Sequence, residues 1–267
     1  MEILSKTVEK MSSYTTNSDV KQVFAVMENE IIKFLRGKKI YIYLIIIGLL
    51  LALDIGISLM VENSAGYKMS ITEDGDAIAH SILGNLYLVL IIMSTLFTAG
   101  AISSEFEERT ALILLTKPIK RPTIVFGKFL ASMAVGVATL LLYTIIAVFF
   151  KAVGNGHING DLFAGMGTYL IYIMAIIGVA MLVSAFAKKS STSALLTLFM
   201  LLILPIILEG ILEARGIDTW FLLGSLGSTG RAVIEGGGEP LRDIAAMLVW
   251  TIVSMAGSIF LFKKRQF

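Results

Sequence analysis

Residues 40–61 read IYIYLIIIGLLLALDIGISLMV, and this stretch decides the fold class. Asp54 is its only charged residue. A helix needs about 20 predominantly apolar residues to cross the roughly 30 Å of hydrocarbon in a bilayer. The stretch therefore predicts a membrane-spanning helix.

Five more apolar runs of similar length follow along the 267-residue chain. A soluble domain can bury one or two such runs in its core, but not six. The composition agrees, because 56% of the residues are hydrophobic and 16% are charged, against roughly 25% charged in an average soluble domain. We therefore expect an all-α polytopic membrane protein with six spans, at approximately 40–61, 81–101, 128–150, 162–187, 193–212 and 244–262.

The segment before the first apolar run divides into two parts. Residues 1–18 are polar and predict a flexible cytoplasmic tail. Residues 19–39 predict an amphipathic interfacial helix, because apolar residues such as Val23, Met27 and Phe34 recur at helical spacing. Residues 40–267 then form the six-helix transmembrane domain.

Lysine and arginine set the expected orientation, because they concentrate on cytoplasmic loops. With the N-terminus inside, 17 of the 22 Lys and Arg residues fall on the cytoplasmic side. The remainder are Lys68, Lys151, Arg215, Arg231 and Arg242. We therefore predict a multi-pass protein of the cell membrane with both termini in the cytoplasm.

Several classes of site find no support in the sequence. Cysteine is absent, which excludes disulfides and thiolate metal sites. The chain has no G-x-x-x-x-G-K-[ST] run, no HExxH and no G-x-S-x-G. His80 and His157 are the two histidines, and no further ligands can be assembled around them. We expect no catalytic residue, no metal, no cofactor bound by this chain and no nucleic-acid partner.

The loop between the second and third spans is the most informative segment. Residues 105–122 read EFEERTALILLTKPIKRP. Acidic residues favour a helix start, and Pro118 and Pro122 break the helix that follows. The pattern predicts a short surface helix over 105–117. It either seals the loop at the membrane surface or docks a cytoplasmic partner, since an apolar ridge with a charged rim suits a groove.

This loop resembles the conserved cytoplasmic motif of type-2 ABC transporter permeases. The resemblance covers about 25 residues here, and by architecture it extends over nearly the whole chain. Arg109 departs from the pattern, since the family usually has glycine at this position. The matching residues are Glu105, Glu108, Thr110, Leu114, Leu115, Pro118, Arg121, Gly127 and Lys128.

The resemblance implies a fold and a mechanism. Two copies of the membrane subunit pair with two separate ATPase subunits, which bind ATP and Mg²⁺. The helix at 105–117 is then the coupling helix, seated in a groove of the ATPase, and the helix at 19–36 is the connecting helix. The implied coupling residues are Glu105, Glu107, Glu108, Arg109, Thr110, Leu112, Ile113, Leu115, Pro118, Arg121 and Lys128.

Three polar or kink-forming residues near the predicted spans are candidates for a transport pathway. Asp54 lies in the outer half of the first span and Glu209 near the end of the fifth, where either contacts cargo or simply reaches water. Pro205 kinks the fifth span, which either lines a pathway or shapes packing.

The leading functional prediction is an exporter permease, with two alternatives open. One is an assembly or maturation factor that uses the same ATPase-coupled fold. The other is an ATP-independent secondary carrier or channel. The apolar spans favour a lipidic, peptidic or amphipathic cargo over a sugar, and the sequence does not identify it.

Overall fold

The structure is a computed structural model that describes residues 19–64, 75–107, 120–154 and 160–264. Every regular element in these ranges is helical. The helices are α1 (Asp19–Arg36), α2 (Lys38–Ser64), α3 (Gly75–Gly84), α4 (Leu86–Met93), α5 (Ser103–Glu107), α6 (Arg121–Val153), α7 (Asp161–Phe186), α8 (Ser190–Leu198), α9 (Leu204–Glu213), α10 (Leu223–Ile234) and α11 (Pro240–Lys264).

Six helical stretches in the described ranges are long and apolar enough to cross a membrane, which confirms the predicted fold class. Two of the spans are composite, because α3 to α5 follow one another in span 2, and α8 and α9 in span 5. Most of the spans are longer in the structure than the sequence predicted. Spans 1 to 6 are Lys38–Ser58, Ala77–Glu107, Arg121–Val153, Asp161–Phe186, Ser190–Glu213 and Pro240–Lys264.

Spans 2 and 4 form the centre of the bundle, whereas spans 1 and 5 expose most of their side chains. Side chains such as Ile45 and Leu195 are exposed on these outer spans. Apolar surface on that scale is stable only against lipid or another apolar surface. The burial pattern therefore agrees with a protein embedded in a bilayer.

Span 2 contains an irregular segment that a side chain of span 4 stabilises. A π-helical stretch, Ser94–Thr98, leads into a turn that ends at α5. The backbone N–H groups of Ile102 and Ser103 donate to the Ser184 hydroxyl, at 2.9 and 3.1 Å. Buried N–H groups released from a helix need such partners in an apolar medium.

The helix α10 lies between spans 5 and 6 and packs closely on span 4 through glycines. A Cβ atom on Gly230 would lie 2.5 Å from the Tyr169 ring, and one on Gly227 would lie 3.0 Å from the Tyr172 hydroxyl oxygen. Absence of a side chain at these positions lets the two helices approach.

Candidate functional site

We call one end of the bundle the basic end. It brings together α1, the end of span 2, the start of span 3, the start of span 5 and the end of span 6. Its cations outside the ion pairs described next include Arg36, Lys38, Lys188, Lys189, Lys263 and Lys264.

Lys128 lies at the centre of the basic end and pairs with two carboxylates. Its Nζ lies 2.7 Å from Glu30 Oε1 on α1 and 2.6 Å from Glu105 Oε1 at the end of span 2. The exposed fractions of the three side chains are 2%, 8% and 4% for Lys128, Glu30 and Glu105. A buried charge is tolerated only when it is paired in this way. The cluster therefore joins three elements of the bundle.

Glu30 makes a second ion pair, with Lys33 one turn along α1 at 3.0 Å. Burial raises the pKa of the Glu30 carboxyl, but the charges and hydrogen bonds of Lys128 and Lys33 outweigh it and hold the pKa below its ordinary value of 4.5. The carboxylate form is thus favoured in the folded protein at neutral pH.

Gly127, next to the central lysine, sets how closely α1 can approach span 3. A Cβ atom at this position would lie 2.6 Å from Val26 Cβ and 2.9 Å from the Val23 carbonyl oxygen. No larger residue fits without moving α1. The Gly127-Lys128 pair of the sequence motif therefore has a local explanation, because one residue admits the helix and the other holds it.

The two residues after Glu105 connect the end of span 2 to spans 5 and 6. Glu107 accepts a hydrogen bond from the backbone N–H of Ser190, at 2.8 Å, where span 5 begins. A carboxylate at a helix N-terminus satisfies a free N–H group and the helix dipole. Phe106 packs edge-to-face against Phe262, with 5.9 Å between ring centroids.

Arg121 opens span 3 and binds the last turn of span 6. Its guanidinium donates to the backbone carbonyls of Phe262 and Lys263, at 3.2 and 2.6 Å. A cation at a helix C-terminus compensates the carbonyl groups that lack a partner within the helix. Span 3 is thus attached to span 6 at the basic end.

The remaining predicted coupling residues lie outside the described residues, in the segment 108–119. They are Glu108, Arg109, Thr110, Leu112, Ile113, Leu115 and Pro118. The resemblance implied that Glu105, Glu107 and Arg121 are coupling residues as well. These three residues flank that segment, and in the structure their side chains bind groups of this chain.

A family model described as an ABC-2 family transporter protein matches residues 24–219. The chain belongs to this family. The match includes most of α1, the central lysine cluster and the first five spans. A search of curated proteins finds no match. As a member of the ABC-2 family, the chain is a multi-pass membrane permease.

Asp54 of this ABC-2 family permease is buried, and it belongs to a partly buried polar cluster between spans 1 and 2. Asn85 Nδ2 donates to Asp54 Oδ1 at 2.6 Å, and Ser58 Oγ lies 2.8 Å from Ser81 Oγ. The other carboxylate oxygen of Asp54 is buried and has no hydrogen-bond partner among the described residues. The structure therefore places Asp54 at a contact between two helices of the same chain.

Pro205 and Glu209, the other two candidates for a pathway, both face α10. Pro205 follows a π-helical stretch, Phe199–Ile203, which interrupts span 5 just before it. Glu209 accepts a hydrogen bond from the Ser225 hydroxyl at 2.9 Å and packs against Gly224. Both residues position α10 beside the end of span 5 that lies opposite the basic end.

No group of three or more His, Asp or Glu residues that could hold a metal ion occurs in the described ranges. His80 instead lies 3.5 Å from Glu235, which also binds Arg231 at 2.8 Å. The hydrogen bond from Arg231 is the main cause of the lowered pKa of Glu235.

The sequence interpretation missed Glu30. This residue is three positions after Met27 and four before Phe34, so it lies on the apolar face of α1. A carboxylate on the apolar face of an amphipathic helix needs a buried partner. This pattern in the sequence could have predicted a buried ion pair for Glu30. In the structure Lys128 is its partner.

Proposed function

We propose that this chain is the membrane-spanning subunit of an ABC exporter and that a separate ATPase subunit drives it. The family assignment supports the permease role. The sequence has no nucleotide-binding run of its own, so the ATP and Mg²⁺ bind to the partner chain. The basic end is the cytoplasmic side, because most of the Lys and Arg residues lie there.

One observation supports the coupling mechanism most strongly. Three residues that flank the segment 108–119 contact other elements through their side chains. Glu105 forms an ion pair with α6, and Glu107 and Arg121 form hydrogen bonds with the start of span 5 and the end of span 6. A displacement of that segment by the ATPase would therefore move several spans together. Connections made by buried charges and helix termini suit such transmission, because they cannot slide without losing their partners.

The same contacts give α1 a role alongside the segment 108–119, which we call the docking segment. Glu30 connects α1 to the lysine that also holds Glu105. A push on α1 and a push on the segment 108–119 would thus converge on Lys128. In this proposal α1 and the loop act as one cytoplasmic unit.

A second copy of the permease completes the proposed transporter. The exposed apolar sides of spans 1 and 5 provide surface both for lipid and for a second copy. ABC exporters need paired membrane subunits because two ATPase subunits close on each other. The cargo pathway would then run between the two copies, with an amphipathic or lipidic cargo as the expected class.

The test is association with the ATPase subunit and stimulation of its ATP hydrolysis. The full chain is purified with its ATPase, and Glu108 and Arg109 are both changed to Ala. We expect association to be lost, because these groups belong to the docking segment. The matched control is Arg215→Ala with Asp218→Ala, which removes one basic and one acidic group, both exposed, between span 5 and α10, away from the basic end.

Glu30→Gln provides the second half of the test. It should leave association intact while reducing the stimulation of ATP hydrolysis by the permease, since the segment 108–119 is unchanged and the ion pair between α1 and Lys128 is lost. Unchanged association of the Glu108 and Arg109 variant would contradict the docking assignment. Nucleotide hydrolysis by the isolated chain, or transport without any ATPase, would favour the carrier alternative.

A further inference from the structure

An apolar groove opens at the basic end between α1, span 1 and span 3. Its volume is about 280 Å³. The groove lies beside the bend at Gly37, where α1 ends and span 1 begins. Its walls include Ile31 and Leu35 of α1, Leu44 and Ile47 of span 1, and Ala138 and Leu142 of span 3.

The groove exists because α1 packs on span 3 and not on span 1. The close contact at Gly127 holds α1 against span 3, so the bend leaves span 1 separated from it. The polar atoms at the base are already satisfied: the Tyr43 and Thr139 hydroxyls lie 2.6 Å apart, and Thr139 also donates to the Val135 carbonyl. An occupant therefore meets hydrocarbon and finds no free polar partner.

The bend between the groove-lining residues Leu35 and Ile40 is cationic. Residues 33–39 contain Lys33, Arg36, Lys38 and Lys39 and no acidic residue. All four side chains are exposed. Lys33 pairs with Glu30, and Arg36 and Lys38 stand on either side of the bend at Gly37. Cations at this depth attract anionic lipid headgroups.

We propose that the groove binds an acyl chain of an anionic phospholipid, with the headgroup phosphate held by Arg36 and Lys38. A second copy of this chain is the poorer occupant, since a two-fold contact here would bring two basic segments against each other. The lipid keeps α1 and span 1 apart, and so stabilises the position of α1 in which Glu30 reaches Lys128. This inference does not depend on the proposed transport function.

The test uses quenching of a single tryptophan by brominated lipids. The two native tryptophans, Trp220 and Trp250, are changed to Phe, and one Trp is placed at Leu44, in the groove, or at Phe260, on span 6. Phe260 is exposed and lies close to Lys263 and Lys264, so it reports a basic membrane surface without a groove. The full chain is reconstituted in vesicles with brominated phosphatidylglycerol or brominated phosphatidylcholine.

We expect Trp at position 44 to prefer phosphatidylglycerol by about fivefold, and Trp at position 260 to show a clearly smaller preference. Two further variants separate headgroup from groove. Arg36→Gln with Lys38→Gln should remove the preference at position 44. In Ala138→Phe the larger side chain occupies the groove. This variant should lower the quenching of Trp at position 44 by both lipids and leave the quenching of Trp at position 260 unchanged.

Two results would overturn the proposal. Equal preference at positions 44 and 260 would show only a general attraction of the basic end for anionic lipid. Quenching at position 44 that persists in the Ala138→Phe variant would show that the acyl chain lies outside the groove. In each case the folded state is checked by the melting temperature of the variant.

Discussion

Lys128 Nζ lies 2.7 Å from Glu30 Oε1, so a lysine within span 3 holds the amphipathic helix α1 in place. The same nitrogen lies 2.6 Å from Glu105 Oε1 at the end of span 2. One buried cation thus pairs with both carboxylates, and Glu30 pairs with Lys33 as well. This relationship makes the ABC-2 chain unusually sensitive to the loss of that cation and leads to the first prediction.

Replacing Lys128 by Met should destabilise the folded chain by about 3–5 kcal/mol, because two buried carboxylates lose the buried cation that pairs with both. The control is Lys33→Met, which removes the more exposed partner of the same Glu30 and should cost less than about 1 kcal/mol. Unfolding of the full chain in detergent measures both. Equal effects of the two substitutions would contradict the assigned role of burial.

Glu30 should make the same cluster sensitive to acid. Its folded pKa is held below 4.5, so its contribution to stability is complete at neutral pH and is lost as the pH falls below 4.5 through the folded pKa. In the Glu30→Gln variant the decline in melting temperature over this acid range should be shallower than in the unchanged protein. Parallel declines would show that Glu30 does not titrate with folding.

Removal of the Arg121 guanidinium should loosen the end of span 6. Arg121→Gln should cost about 1–3 kcal/mol, because charge-assisted hydrogen bonds to the Phe262 and Lys263 carbonyls are lost. Hydrogen exchange in the last turn of α11 should accelerate, whereas Lys263→Gln, which removes an exposed charge from that turn, should leave it nearly unchanged. Exchange that is insensitive to Arg121 would contradict the attachment of span 3 to span 6.

Asp54 and Asn85 should respond unequally to substitution. Asp54→Asn can keep the contact with Asn85 without a buried charge, so it should be neutral or slightly stabilising. Asn85→Leu removes the donor and should cost about 1–3 kcal/mol, because the carboxylate stays buried without it. Melting temperatures of the two variants test this order, and the reverse order would show that Asp54 has another partner.

Packing of α10 on span 4 should depend on Gly230. Gly230→Ala should destabilise the chain by about 1–3 kcal/mol, since the new Cβ meets the Tyr169 ring. The matched control is Gly167→Ala in α7, where a Cβ meets nothing within 4 Å and the higher helix propensity of alanine should be neutral or favourable. Equal tolerance of both changes, measured by thermal unfolding, would contradict the close approach of the two helices.

The sequence by itself determined the membrane class and the number of spans, because a long run of apolar residues is a local property that the bilayer selects directly. It also predicted a loop at 105–122 from local charge and proline placement. Sequence reasoning could not assign partners to the charges around that loop. Glu30, Lys128 and Arg121 each bind a residue far away in the chain.

Only the tertiary structure decided those partners, since they depend on which ends of the spans meet and at what depth. A buried charge selects the nearest opposite charge in space, and the helix packing determines that distance. The same packing gave Asp54 and Glu209 hydrogen-bond partners on neighbouring helices, and their place in a pathway stays a prediction. Local patterns therefore gave the six helices, and the geometry of their ends gave the candidate site.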